Sequence, residues 1–326
     1  MRHFSILVIL VVAFSCADNP ASEKEITDTK SLRNEVQLEF KTRALLGEGA
    51  IWNYKTQELY WVDILGKKLN IYNPKNKSNR AFPVPYRIGT VVPQTDSTAV
   101  IGLDNGIYIL NTGHGGLRQL SNVEEEILTN RFNDGKCDPN GNLWIGSMHL
   151  EETEPAASLY KVAPNGETTK MLDNITISNG IVWSSDGSTM YYIDTPTSQI
   201  RAFDFNLQTS TISNERVVVE VDPADGYPDG MAIDAEDMLW VGLWNGNAVA
   251  RYNPNTGKML DKIEVPAHNV TACAFGGENL DILYITTALI DMSEDEVAQY
   301  PLAGSIFSVK PGVKGVESDF FGISNK

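Results

Sequence analysis

The chain has 326 residues, of which 42% are hydrophobic and 21% charged, and its formal net charge is −16. That length suits one large domain or two small ones, and the acidic balance argues against nucleic acid and anionic membrane surfaces as partners while being compatible with cation binding. Three cysteines do not make a disulfide framework; with Cys16 set aside, Cys137 and Cys273 read as two buried, inert thiols.

Residues 1–16 read as a targeting segment. Arg2 and His3 precede an apolar run from Phe4 to Phe14 that is too short to span a bilayer. The run ends at Ala13-Phe14-Ser15-Cys16, similar to a bacterial lipobox except at Phe14. The competing expectation is an ordinary cleaved signal peptide that discards Cys16. Residues 17–35 lack apolar periodicity and read as a flexible spacer. The expectation is a cell-envelope protein whose only membrane contact is a lipid on Cys16, or a secreted one if Cys16 is not lipidated.

From residue 36 to 326 the chain repeats. Six segments begin near Gly49, Gly89, Gly135, Gly180, Gly230 and Thr271, each with an apolar strand followed by two more short strands. Turn residues such as Asp186-Gly187 and Asn255-Thr256-Gly257 separate them. A fourth strand is expected in each connector, for example over Val217–Glu220. Four strands per repeat, with starts roughly 40–50 residues apart, predict an all-β, six-bladed β-propeller. The early strand Val36–Phe40 is expected to pair with the last repeat and close the ring, which removes exposed sheet edges. A β-sandwich does not account for so long a period.

In a propeller the first strand of each blade lines the central channel. Residues just before that strand are expected to ring one mouth. Glu48, Asn133 with Asp134, Asn179 and Asp229 all sit directly before a glycine at that phase. Convergence of Glu48, Asn179 and Asp229 would give three oxygen ligands, a donor set for Ca²⁺, with Mg²⁺, Mn²⁺ or Zn²⁺ as alternatives. The bland alternative is polar strand-entry residues with no metal. The stretch Arg131-Phe132-Asn133-Asp134-Gly135 also places a cation, an amide and a carboxylate within a few residues. No Gly-x-Ser-x-Gly elbow and no His-Glu-x-x-His motif is present. His114 reads as a surface-loop residue; His149 is expected either to line the pocket or to sit in an exposed loop.

From Leu46 onward the chain resembles the senescence marker protein/gluconolactonase (regucalcin-like) family. The matching motifs are Leu46-Gly47-Glu48-Gly49, Arg131-Phe132-Asn133-Asp134-Gly135-Lys136, Ile177-Ser178-Asn179-Gly180, Tyr227-Pro228-Asp229-Gly230 and Phe275-Gly276-Gly277. The resemblance implies a propeller that binds one divalent cation through Glu48, Asn179 and Asp229. It implies substrate contacts from Arg131, Asn133 and Glu151, and hydrolysis of a small sugar lactone with Asp229 as general base. His149-Leu150 departs from the family's usual residues, so Glu151 is the least securely matched of these. Two other classes remain at this point: an aryl-esterase or organophosphate hydrolase on the same scaffold, and a non-catalytic calcium- or sugar-binding propeller. Oligomeric state is not encoded in any feature of the sequence.

Overall fold

In the computed structural model, residues 35–324 are described. The expected signal segment and all but the last residue of the expected spacer lie outside them. Six four-stranded antiparallel sheets follow one another as six propeller blades. Their inner strands are Gly47–Asn53, Ile88–Thr95, Asn130–Cys137, Ser178–Trp183, Tyr227–Ile233 and Asn269–Gly276. Each touches its neighbours, so the six form a closed ring around the channel. Burial falls outward from there. The inner strand of blade 1 is buried along its whole length, whereas its outer strand, Ser78–Pro83, is mostly exposed. An inner strand is covered by blades on both faces and can be continuously apolar; an outer strand meets water and cannot. The expected fourth strand of blade 4 is present as Thr211–Glu220.

The ring closes as the sequence predicts. Gln37–Phe40 is the outer strand of blade 6, antiparallel to Ile306–Val309, with Gln37 opposite Ser308 and Leu38 opposite Phe307. Glu39 ties that strand to blade 1 as well as to its own blade. Its carboxylate accepts from Tyr72 Oη of blade 1 at 2.8 Å and from Ser308 Oγ of blade 6 at 3.0 Å. Closure therefore joins the two ends of the folded chain through backbone pairing and a shared side chain.

The turns after several inner strands use one device. In blade 5, Asp234 Oδ1 accepts from the amides of Glu236 and Met238 at 2.9 and 3.0 Å, while Oδ2 accepts from Trp240 Nε1 at 2.9 Å. Blade 3 repeats it with Asp138, Asn140, Asn142 and Trp144. In blade 1, Asn53 accepts from the amides of Lys55 and Thr56 and donates to Tyr60 Oη. One buried side chain thus shapes the turn and pins the next strand's aromatic residue, which explains the Asp/Asn-to-aromatic spacing of the repeats.

After the last strand the chain crosses the lower mouth of the channel as a strap. Ala235 N donates to Lys314 O at 2.8 Å and Gly315 N to Leu280 O at 2.8 Å. Beyond the crossing, Phe321 N donates to Pro93 O at 2.9 Å and Gly322 N to Gly141 O at 2.8 Å. Phe320 packs on Tyr54, ring centroids 4.8 Å apart. Cys137 and Cys273 are free and buried as expected, and burial pushes both thiols up, Cys273 to about 12.

Asp234 also pairs with Arg251, Nη2 to Oδ2 at 2.7 Å, with the carboxylate side chain wholly buried. Asp234→Ala removes the buried partner of that guanidinium and leaves an indole N–H and two turn amides unpaired, and should lower unfolding free energy by about 3–5 kcal/mol. Glu236 touches the same arginine from a largely exposed position, and Glu236→Ala should cost less than about 1 kcal/mol. Urea denaturation of the two variants makes the comparison; equal losses would show that the buried pair does not anchor the blade.

Candidate active site

The polar residues singled out in the sequence do lie at one mouth, but inside the inner strands rather than before them. Glu48, Asn133 with Asp134, Asn179 and Asp229 fall at irregularities in strand pairing: between Glu48 and Ile51, Phe132 and Gly135, Asn179 and Ile181, and Pro228 and Met231. The other two inner strands are irregular at the same level. A bulge inserts an extra residue and turns its side chain off the sheet face. Here it turns polar side chains to the axis. The following glycines have a physical cause as well. Gly49 has φ +61°, and a Cβ on Gly180 would lie 2.7 Å from Asp229 O, so side chains are barred where neighbouring inner strands converge.

Hydrogen bonds fix the amides. Arg131 Nη1 donates to Phe132 O at 3.1 Å and to Asn133 Oδ1 at 2.7 Å. Asn133 Nδ2 donates to Ser178 O at 2.7 Å and Asn179 Oδ1 at 3.1 Å. Asn179 Nδ2 donates to Thr195 Oγ1 at 2.8 Å, and Thr195 Oγ1 donates to Pro228 O at 2.8 Å. The chain runs from blade 3 through blade 4 to the residue before Asp229 in blade 5. It sets which end of Asn179 is oxygen: Nδ2 is held by Thr195, and Oδ1 keeps a lone pair for the channel. Asn133 has both amide hydrogens engaged within the protein, so it acts as a brace between Arg131 and Asn179. Thr195 has no motif in the sequence and is recognisable only from this geometry.

The carboxylates follow a shared pattern. Glu48 Oε2 accepts from Gly49 N at 2.9 Å and Asp134 Oδ1 from Gly135 N at 2.7 Å, and Asp229 takes the amide of Gly230. Asp134 Oδ2 and Asp229 Oδ1 are buried with no hydrogen-bond partner. Glu48 and Asp229 each act on the other's proton affinity. Burial, then the charge of Asp134, pushes Glu48 up to about 8. Burial, then Glu48 and Asp134, pushes Asp229 up as well. Arg131 is lowered by burial to about 10 and remains a cation at neutral pH.

With all three acids ionised, one buried arginine would leave negative charge uncompensated, so a proton or a cation has to balance it. Carboxylates buried in that state demand a counter-charge. Among the described residues, no three His, Cys, Asp or Glu side chains are grouped as a metal cluster. A set of two carboxylates, Glu48 and Asp229, plus the Asn179 amide oxygen has the hard-donor chemistry of a divalent cation site. Asp134 adds negative charge beside it.

The rim contains residues that sequence reasoning did not single out. Arg87 Nε is bound to both Asp104 oxygens at 3.1 and 3.0 Å, and the charges of Glu152, Arg87 and Asp104 all reach Arg131. Glu151 is exposed in the turn after strand Leu143–His149, its amide donating to His149 Nδ1 at 3.3 Å. The acid whose charge acts most on Arg131 is its neighbour Glu152. His149 is half-buried at the strand's end, and His114 is exposed as expected.

Residues 46–289 match the family model described as SMP-30/Gluconolactonase/LRE-like region. The chain is 39% identical over 273 residues to the "Putative sugar lactone lactonase YvrE" of Bacillus subtilis (strain 168), covering 84% of this chain and 94% of that protein. It is 35% identical over 285 residues to regucalcin of Danio rerio, covering 86% and 96% of the two. The solved structure of a calcium-binding protein, regucalcin, from Agrobacterium tumefaciens superposes with TM-score 0.85 at 29% identity, covering 89% of this chain and 98% of that one.

The proton held by Glu48 has a consequence for stability. A carboxyl raised in the folded state from 4.5 to about 8 binds a proton that the unfolded chain has already released. In chelator, stability should therefore fall as pH rises through that window, the sign opposite to that of an ion-paired carboxylate. Glu48→Gln cannot titrate there and should show a shallower slope. Thermal midpoints measured between about pH 5 and 8 compare the two; identical slopes would remove the buried proton from Glu48.

Proposed function

The chain belongs to the SMP-30/gluconolactonase/LRE-like family, and we propose that it hydrolyses a sugar lactone to its aldonic acid at this mouth, with a divalent cation, Ca²⁺ first among them, held by Glu48, Asn179 and Asp229. The observation that carries the reading is the buried, unpartnered Asp229 Oδ1, with Asp134 Oδ2 likewise unpartnered, beside an Asn179 amide whose oxygen is aimed by its own hydrogen bonds. The calcium-binding relative and the lactonase name of another support the choice of ion and substrate.

When bound, the cation supplies Lewis acidity toward the lactone carbonyl. The protein's own groups supply the remainder. Asp229 takes a proton from water as the water oxygen bonds to the acyl carbon. It returns that proton to the ring oxygen as the acyl–oxygen bond breaks, so the product is the open hydroxy acid. Arg131, still charged at neutral pH, faces the developing carbonyl charge. Asn133 holds Arg131 and Asn179 in mutual register. A mouth walled by Arg131, Asn133 and three carboxylates suits a neutral polyol lactone better than an aryl ester or organophosphate, which would want an apolar wall.

A panel of aldonolactones assayed for acid release, with chelator and with added metals, tests the reaction. Asp229→Asn should lower turnover by about 10²-fold or more without rescue by saturating metal. Glu48→Gln should weaken cation binding and recover partly in excess metal. Arg131→Ala should leave cation affinity near normal and impair kcat, KM or both. Thr195→Val should weaken cation affinity by roughly 10–100-fold by freeing the Asn179 amide, and Thr195→Ser should restore it. Calorimetric metal titration beside lactonase kinetics separates these. Full turnover of Asp229→Asn removes the base assignment; unchanged cation affinity in both carboxylate variants removes the metal site and favours a non-catalytic propeller.

We also propose attachment to the bacterial envelope through a lipid on Cys16, from residues 1–16 alone. Replacing Cys16 with Ala should move the protein out of the membrane fraction. Unaltered fractionation would discard the anchor.

A further inference from the structure

The opposite end of the channel holds a cavity of about 430 Å³. None of Glu48, Arg131, Asp134, Asn179 or Asp229 lines it. Its walls are the lower ends of inner strands from five blades, with Ile51, Trp183, Ile233 and Phe275 among them. The strap forms its outer edge through residues 316–319. The backbone bonds of Lys314 and Gly315 on one side and of Phe321 and Gly322 on the other hold the strap in place. The volume lies in the range of small-molecule pockets, and the lining combines an aliphatic and aromatic wall with polar groups at its edge.

The convergent group here is Lys136. Its Nζ donates to Met231 O at 2.8 Å, which uses one of three ammonium hydrogens. Among the described residues, no carboxylate lies within ion-pairing distance of it. Its charge reaches the buried thiol of Cys273, another wall residue. Lys136 is half-buried, in a protein of net charge −16, and its recorded hydrogen bond goes to a backbone carbonyl. The rim carries the opposite sign, with Glu317 and Asp319 on the strap. One inner cation behind an acidic rim disfavours phosphate or a dicarboxylate, and no arginine or helix terminus is present to cradle either. A single carboxylate on an aromatic or branched apolar body matches both parts: the charge meets Lys136 and the body meets Trp183, Phe275 and the aliphatic wall.

We propose that this lower cavity is a second ligand site, separate from the upper mouth, which binds a small apolar monocarboxylic acid with its carboxylate on Lys136. The probe is phenylacetate, titrated calorimetrically into the full chain, with phenylacetamide as its neutral counterpart and inorganic phosphate as the competing anion. One-to-one saturable binding of phenylacetate is expected, at least about tenfold weaker for phenylacetamide, whose carbonyl can still accept from Lys136 but brings no negative charge to it. Phosphate should not compete. Lys136→Met should reproduce the tenfold loss, Ala274→Leu should fill the wall and block binding, and Arg131→Ala should bind phenylacetate as wild type does. Melting temperatures without ligand check that each variant folds, and the comparison of the three probes on wild-type protein stands even if one does not. No saturable binding to wild type, equal binding of the amide, competition by phosphate, retention in a folded Lys136→Met, or loss in Arg131→Ala each overturns the proposal.

Discussion

Everything at the upper mouth depends on the burial of like charges on the propeller axis. Glu48, Asp134 and Asp229 come from three blades and are each almost fully buried, and burial together with the neighbouring charges raises the proton affinity of Glu48 and Asp229. Left to themselves, such groups would separate or draw in water. The inner strands do not allow it. They form a closed ring, each strand packed between two others, and the ring is sealed by Gln37–Phe40 on the last blade. Repulsion is therefore stored in a rigid frame, and a proton or a cation has to balance it.

The bulges convert that frame into a site. A regular strand would alternate side chains between its two faces, and every residue of an inner strand would meet a neighbouring blade. The irregular step at the same level in all six strands breaks the alternation once. Four blades use that step to place an acid or amide on the axis. Backbone amides of the following glycines then fix one oxygen of each acid, leaving the other to face the channel. The Asn133–Asn179–Thr195 chain performs the same service for the neutral donor. An amide can flip at little intrinsic cost, so its orientation needs more support than a symmetric carboxylate does.

Much of this was legible in the sequence because it repeats. The period of the strands gave the blades, and the phase of the residues before each glycine gave Glu48, Asn133, Asp134, Asn179 and Asp229 one common address. What was not legible depends on contacts between distant segments. A bulge leaves only a glycine as its trace, so the polar residues were expected before the strands and are found within them. Thr195 sits in a turn, and its meaning comes from Asn179 on one side and Pro228 on the other. Which of the adjacent acids Glu151 and Glu152 acts on Arg131 is decided by turn geometry, with Glu152 at φ +57°. The strap carries no alternation, since its pairing is with four different blades rather than with a strand of its own.

The inner strand of blade 3 shows how one element serves both ends of the channel. Asp134 stands at the bulge among the acids, and two residues later Lys136 enters the lower cavity. The sign of charge reverses within that one strand, across a low-dielectric wall where fields are weakly screened. The acids concentrate negative charge at the upper end, and Lys136 brings a cation to the lower. The axis is thus polarised along its length by its own residues, and the chemistry open to each mouth follows from which end of the strand it receives.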